Sequence, residues 1–306
     1  MRGAFSRSTR FPSAANDNGR EDRSRLTTVT EPRAVLVSVV MRVYNGERYL
    51  REAIESILSQ TLLNFELLVI DDGSTDGTPA ILLEYAREPR LRVINQPNSG
   101  ANAAARRGVQ EARGVYVAIM DADDRSQPDR LGKQVAFLDE NPDHVLVGSA
   151  MRIVNETGKV IAYRRYPLDD EALRSATMIH NPFGHSTICF RRAEALACGG
   201  YTTEFDGAED FDFNVRLRAL GKAANLGEAL VDYRVHKGAF KVERLRTQLR
   251  DTIRLREILR KRYGYHYGTK ARLVDLIQRA LMIVPPAIVT GLFQIVYFRS
   301  SLLEST

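Results

Sequence analysis

The stretch VSVVMRVYNGERYLREAIESILSQTLLNFELLVIDDGSTDGT (37–78) decides how the chain folds. It opens inside the apolar run Val35–Val43, which Tyr44-Asn45-Gly46 stops. A short, mostly apolar run of this length reads as a buried strand, and Asn-Gly reads as a turn. Between Glu47 and Ser59, Tyr49, Leu50, Ala53, Ile54, Ile57 and Leu58 fall on one face at helical spacing. Phe65–Ile70 is a second apolar strand, and it runs directly into Asp71-Asp72-Gly73. A helix between two buried strands is the crossover that parallel pairing requires.

The same alternation continues outward. A helix over Thr78–Arg87 precedes a strand at Leu91–Ile94, and a helix rich in small residues spans Gly100–Ala112. Val115–Met120 is the next strand, ending in Asp121-Ala122-Asp123-Asp124. A helix at Asp129–Asp139 leads to a strand at Val145–Val154, and the turn Asn155–Gly158 makes a hairpin with Val160–Tyr163. A strand at His185–Arg191, a helix at Phe211–Leu220 and a strand at Ala229–Val235 complete the pattern. The expected fold is α/β, an open, mostly parallel mixed sheet flanked by helices, with a helical C-terminal extension. Ligands of such sheets bind beyond the carboxyl ends of the strands. The polar clusters Tyr44-Asn45, Asp71-Asp72 and Asp121 to Asp124 fall at those ends.

Composition narrows the class. At 306 residues the chain is one large or two small domains, and 44% hydrophobic with 27% charged residues excludes wholesale disorder and a coiled coil. Cys189 and Cys198 fit no zinc spacing and cannot staple a chain this long, which points to a reducing compartment. The net charge of +6 invites a nucleic-acid reading, but residues 1–33 carry +3, 34–236 carry −6 and 237–306 carry +9. An acidic body argues against a nucleic-acid-binding face, and the basic end points to an anionic membrane surface.

Three regions follow. Residues 1–33 are polar and without an apolar signal core, and Asp17, Glu21 and Asp22 count against an import peptide, so a disordered leader is expected. Residues 34–236 form the α/β body. In the tail, 237–306, Val242, Leu245, Leu249, Ile253, Leu255, Ile258 and Leu259 make a rough helical stripe on a basic segment, as in helices lying on anionic membranes. Ala280–Phe298 carries no charge and would reach ~28 Å as a helix. Pro285-Pro286 interrupts it, leaving an interfacial or re-entrant segment, packing on the protein, or a span all open. The expected location is cytoplasmic, peripheral on the inner face of the cell membrane; the oligomeric state is open.

Asp121-Ala122-Asp123 puts two carboxylates on one side of an extended segment, a geometry suited to a hard divalent cation and phosphate oxygens. Asp76 suits the N-cap of the next helix, but capping does not explain Asp71-Asp72 at a strand end. An aspartyl-phosphatase reading fails because Asp71-Asp72-Gly73 lacks the required Asp-x-Asp spacing.

Taken with DADDRSQPDRL (121–131), GAEDFDFNVRL (207–217) and YRVH (233–236), the stretch 37–78 resembles the family-two glycosyltransferases of the GT-A fold, in the family's order over about residues 35–236. The resemblance implies that Val43, Tyr44, Asn45 and Glu47 line a nucleotide pocket and that Asp72 contacts base or ribose. It implies that Asp121 and Asp123 handle a diphosphate through Mg²⁺ or Mn²⁺, with Asp123 the direct ligand and His236 a second metal or diphosphate contact. Arg106 could reach the phosphates, and Arg107 is equally placed. Asp210 would be the general base that deprotonates the acceptor hydroxyl, with Glu209, His185 and Ser186 on the acceptor side. The implied partners are a nucleotide-diphosphate sugar donor and a saccharide or lipid-linked acceptor. Arg42 departs from the small residue or proline usual before the nucleotide loop, so it touches phosphate or alters the turn. The chain has no tryptophan, so the QxxRW signature of processive synthases is absent, favouring one sugar per event. A sugar nucleotidyltransferase would want a basic, Gly-rich first loop where this chain has Glu47; a catalytically inactive binding subunit need not retain Asp121, Asp123 and Asp210 together.

Overall fold

The computed structural model describes residues 34–205, 207–236 and 242–284. The expected leader, 1–33, and the greater part of the uncharged segment, from 285 on, lie outside the described residues. The alternation read from the sequence is present as β1 (Val37–Val43), α1 (Leu50–Leu58), β2 (Phe65–Asp71), α2 (Thr78–Glu84), β3 (Leu91–Asn95), α3 (Ala101–Glu111) and β4 (Tyr116–Asp121). These strands lie in the order β3-β2-β1-β4, all parallel. The chain builds β2 and β3 on one side of β1 and then crosses to place β4 on the other. That reversal opens a crevice beyond β1 and β4, where ligands of open sheets bind. In register across it stand Arg42 and Asp121.

Beyond β4 the sheet becomes mixed. The following elements are β5 (Arg125–Ser126), α4 (Arg130–Glu140), β6 (His144–Val154), β7 (Val160–Arg164), α5 (Asp170–Thr177), β8 (Cys189–Arg191), α6 (Arg192–Ala197), α7 (Glu209–Arg218) and β9 (Lys222–Arg234). β8 is antiparallel to both β4 and β6, β9 is parallel to β6, and β7 forms the expected hairpin with β6.

Apolar side chains cover both faces. Leu50, Ala53, Ile54 and Ile57 of α1 pack with Val37, Val39 and Met41, while Ala104, Ala105 and Val109 of α3 pack opposite with Val40, Leu68 and Ile70. The small residues of α3 let it approach closely: a Cβ on Gly108 would lie 2.3 Å from Val40 Cγ1. Arg130 is buried completely, and burial lowers its pKa to about 10. Its guanidinium donates to the carbonyls of Ile119 (2.8 Å) and Ile188 (3.3 Å), joining β4 to the segment ahead of β8.

The strand expected over His185–Arg191 is shorter. His185–Thr187 is a single 3₁₀ turn, and only Cys189–Arg191 joins the sheet. The Thr187 hydroxyl donates to Gly184 O at 2.8 Å, a local bond that competes with the ladder. The final strand starts at Lys222, well before Ala229, its pairing to β6 interrupted by register shifts. α5, α6 and β5 carry no clear periodic signal.

Two helices follow, α8 (Val242–Arg262) and α9 (Thr269–Leu281). Leu255 and Leu259 of the basic stripe are buried against Met178, Phe205, Ala208, Phe211 and Val215. Leu273, Leu276, Ile277 and Ile283 are exposed. Among the described residues, no helix is long and apolar enough to cross a membrane.

Candidate active site

The first loop, 44–47, is locked to the loop after β2. Asn45 has φ 54°, a left-handed conformation that asparagine tolerates. Its Oδ1 accepts from Thr75 N (2.8 Å), and its own N–H donates to the Ser74 hydroxyl (3.0 Å). Glu47 accepts from Gly77 N (2.7 Å) and donates its N–H to Asp76 (3.1 Å). Asp76 also accepts from Thr78 N at 2.9 Å. Burial works against its charge, but the bonds from Thr78 and Glu47 prevail and lower its pKa. Tyr44 stands exposed at the rim and Val43 is buried beneath it.

Asp72 is buried, and its carboxylate organises the loop leading to α3. Oδ1 accepts from Gln96 Nε2 (2.7 Å) and Ser99 N (2.9 Å), and Oδ2 from Gly100 N (2.9 Å). Arg106 lies on the exposed face of α3, whereas Arg107 reaches Gln96 Oε1 at 3.2 Å.

At the end of β4 the charges crowd. Asp121 accepts from the Ser186 hydroxyl (3.0 Å) and faces His185 Nδ1 (3.4 Å) and Arg42 Nε (3.4 Å). Burial would raise its pKa; His185 and Arg42 outweigh that and lower it. His185 Nε2 meets the hydroxyl of the buried Tyr201 at 3.1 Å, and the Tyr201 ring stacks on Phe213. The 3₁₀ turn thus brings His185 and Ser186 onto Asp121.

Arg42 continues across the crevice. Its guanidinium donates to Ala101 O (3.3 Å) and lies 3.8 Å from Glu209 Oε1. Burial disfavours its charge, yet Asp121 and Glu209 raise its pKa. Glu209 is itself pushed up by burial and by Asp210, with Arg42 opposing. Asp210 Oδ2 accepts from Asn181 Nδ2 at 2.9 Å, and Oδ1 from Phe211 N at 2.8 Å. The two acids open α7, where negative charge suits the helix dipole.

Asp123 and His236 meet at 3.0 Å (Oδ2 to Nε2). Burial and Asp121 raise the pKa of Asp123 against the opposing His236. Asp124 is buried deeper and its pKa is pushed well up by burial and by Asp123 and Asp121; one of its oxygens has no hydrogen-bond partner. These carboxylates are under-compensated, and Asp123 with His236 offers two donors on one side of the crevice. Among the described residues no third His, Cys, Asp or Glu completes a closed metal cage. The pair fits a hard cation that keeps its remaining positions for phosphate oxygens.

Arg234 underpins the arrangement. It is almost wholly buried and donates to Asp123 O (2.9 Å), Glu156 O (3.0 Å) and Glu52 Oε2 (2.7 Å), while its backbone N–H reaches Asp124 Oδ1 (2.9 Å). Tyr201 and Arg234 touch these side chains and loops and were not singled out from the sequence. An arginine closing an apolar strand beside His236 was the available signal for the second; the first had none.

Residues 38–200 match the family model for glycosyl transferase family 2. EpsE of Bacillus subtilis is 40% identical over 211 residues, covering 67% of this chain and 75% of that protein. The chain belongs to glycosyltransferase family 2. It is a glycosyltransferase. The Escherichia coli O-antigen biosynthesis glycosyltransferase WbnJ is 30% identical over 238 residues, covering 74% of this family-2 enzyme and 90% of WbnJ. Its fold is of the GT-A type. The crystal structure of S. aureus TarS 1-349 in complex with UDP-GlcNAc has a TM-score of 0.58 at 19% identity, over 80% of this chain and 79% of that one. The mannosyltransferase PcManGT from Pyrobaculum calidifontis, in complex with GDP-Man and Mn²⁺, gives 0.58 at 19%, over 86% and 82%.

Removing Arg42 strands Asp121 and Glu209 in a largely desolvated crevice. Arg42→Met should destabilise the glycosyltransferase by about 1–3 kcal/mol at pH 7. The native Asp121 pKa is lowered, so its stabilisation is full above the unfolded carboxyl value and lost as pH falls through the folded one. The variant's deficit should therefore hold from pH 7 to about 5 and shrink below about 4, as urea unfolding at each pH would show. A deficit independent of pH would contradict the charge assignment.

Proposed function

We propose that this glycosyltransferase moves one sugar per event from a nucleotide-diphosphate sugar to a hydroxyl of a saccharide or lipid-linked acceptor, with inversion at the anomeric carbon. The carrying observation is the division of the crevice by Arg42. Asp121, Asp123 and His236 lie on one side, and Glu209 and Asp210 on the other. A transferase of this kind needs a diphosphate site and a base facing each other across the sugar.

On the donor side, Val43, Tyr44, Asn45 and Glu47 frame the nucleotide. Asp72 retains lone pairs beyond the three donors it accepts, enough for a base or ribose donor. Asp123 and His236 would hold Mg²⁺ or Mn²⁺, whose charge neutralises the nucleoside diphosphate as it leaves. Asp121, held by Arg42, His185 and Ser186, flanks the same diphosphate.

On the acceptor side, Asp210 takes the proton of the attacking hydroxyl. The new C–O bond forms opposite the breaking one, so the configuration inverts. Asn181 and the Phe211 N–H fix the carboxylate's orientation. Glu209 contacts or supports the acceptor. The bound donors named in the TarS and PcManGT structures and the O-antigen role in WbnJ's name support a sugar nucleotide and a surface glycan.

The exposed apolar face of α9, with Leu276 at 66%, and Ile283 at 86% just beyond the helix, beside Lys270, Arg272 and Arg279, supports docking on an anionic bilayer at the inner membrane face.

Three outcomes are expected. Asp210→Asn should slow transfer by about 10²–10⁴-fold while nucleotide affinity stays near wild type; unaltered turnover would remove the base. Asp123→Ala should abolish the Mn²⁺-dependent part of UDP or GDP binding by calorimetry, whereas tight binding that ignores metal would remove the cation site. The full chain should co-sediment with phosphatidylglycerol vesicles but not phosphatidylcholine ones, and L276E/I277E should weaken this. A wild-type chain left in the supernatant by both would overturn the membrane reading.

A further inference from the structure

The C-terminal hairpin grips the two segments that present Asp210. The first is the approach to α7. Asp251 of α8 accepts from Gly207 N at 3.2 Å. A Cβ on Gly207 would lie 2.7 Å from the backbone of Gln248, so α8 runs hard against the chain two residues before Glu209. Arg254 pairs with Glu204 and sits 5.0 Å over the Phe205 ring.

The second segment leaves α5. Its carbonyls just past the helix end, buried under α8, need donors. Arg256, only 2% exposed, supplies them: Nε donates to Met178 O at 2.8 Å and Nη2 to Ile179 O at 3.3 Å. Its Nη1 donates to Asp275 Oδ1 and Gln278 Oε1 of α9, both at 3.0 Å. Asp275 also accepts from Arg279 at 2.7 Å, so the guanidinium is fixed from behind. Two residues past Ile179 stands Asn181, the donor to Asp210. Two residues span at most about 7 Å, which makes the link from Arg256 to the base short and covalent for most of its length.

We propose that Arg256 is a positioning residue for sugar transfer. Through Met178 and Ile179 it holds Asn181 against Asp210, and the α8–α9 hairpin forms the back wall of the acceptor side. The inference rests on Asp210 as general base. A fork that binds two carbonyls and a carboxylate at once is chemistry for arginine; a lysine keeps the charge but not the geometry. Because the grip falls on the base rather than on loops 44–47 and 72–78, it governs turnover and leaves donor binding alone.

The full chain carrying Arg256→Met should bind UDP or GDP with Mn²⁺ within about twofold of wild type. Its turnover of a sugar nucleotide, read as released nucleoside diphosphate at saturating donor, should fall about tenfold or more. Arg256→Lys should recover part of the loss. Added to Asn181→Ala, Arg256→Met should cost no further than about twofold, since both break one chain of contacts. Wild-type turnover in R256M, parallel loss of nucleotide affinity, or multiplied losses in the double variant would overturn the proposal. If R256M does not fold, Asp275→Asn is read by the same criteria. A dead D210N beside a fully active R256M refutes the grip alone, whereas an active D210N refutes the base.

Discussion

Five carboxylates, those of Asp121, Asp123, Asp124, Glu209 and Asp210, converge where β4 ends and α7 begins, and the site is arranged to let them coexist. Like charges this close in a desolvated crevice push one another towards protonation. Three of them, Asp123, Asp124 and Glu209, are indeed raised by burial and by neighbouring carboxylates. Asp121 escapes because Arg42, His185 and Ser186 surround it. The crowding is bearable only with cations, and the protein supplies one permanent cation at its centre. Arg42 is in register with Asp121 because β1 and β4 are adjacent, and they are adjacent because the strand order reverses there. Topology and electrostatics therefore meet at one residue pair.

Rigidity around the crevice comes from arginines used as backbone clamps. Arg130 ties β4 to the segment carrying Ser186, and burial lowers its pKa against the opposing Cys189 and Asp124. Arg234 ties the Asp123 carbonyl to the β6–β7 turn and to α1. Arg256 does the same behind the α5 exit. Arg234 and Arg256 satisfy carbonyls outside the helices and ladders that would otherwise be bare away from water. Loops that carry chemistry thereby gain the fixity of strands.

The parallel half of the fold was legible because its signals are local. Apolar strands, a one-faced helix and acidic strand ends occur in order between Val35 and Asp124, and each implies the next. Legibility falls after Asp139, where pairing is mixed and long-range. The 3₁₀ turn at His185–Thr187 depends on a hydroxyl finding Gly184 O, which no periodicity reveals. The acidic clusters on the strand ends were readable for the same reason as the strands. Tyr201 was not, since its relevance comes only from its meeting with His185. Arg42 was visible as a departure from the family's pattern, but its reach to Glu209 spans elements far apart in sequence.

The C-terminal charge shows how composition can be true and incomplete. The +9 of residues 237–306 suggests a basic surface, yet Arg256 is buried and other arginines of the segment are paired with acids. Arg254 and Arg256 contact the body at Glu204 and at the α5 exit, and Arg279 is held by Asp275 and Glu257. Likewise, Leu255 and Leu259 of the stripe bury against α7, whereas Leu273, Leu276 and Ile277 of α9 do not. The hairpin is therefore two-sided, with α8 spending its amphipathicity on α7 and the α5 exit and α9 leaving an apolar face outward. A surface fixed to α9 is by that construction fixed to the segments that hold Asp210. The distance between such a surface and the acceptor hydroxyl would then be set by packed side chains rather than by a flexible linker.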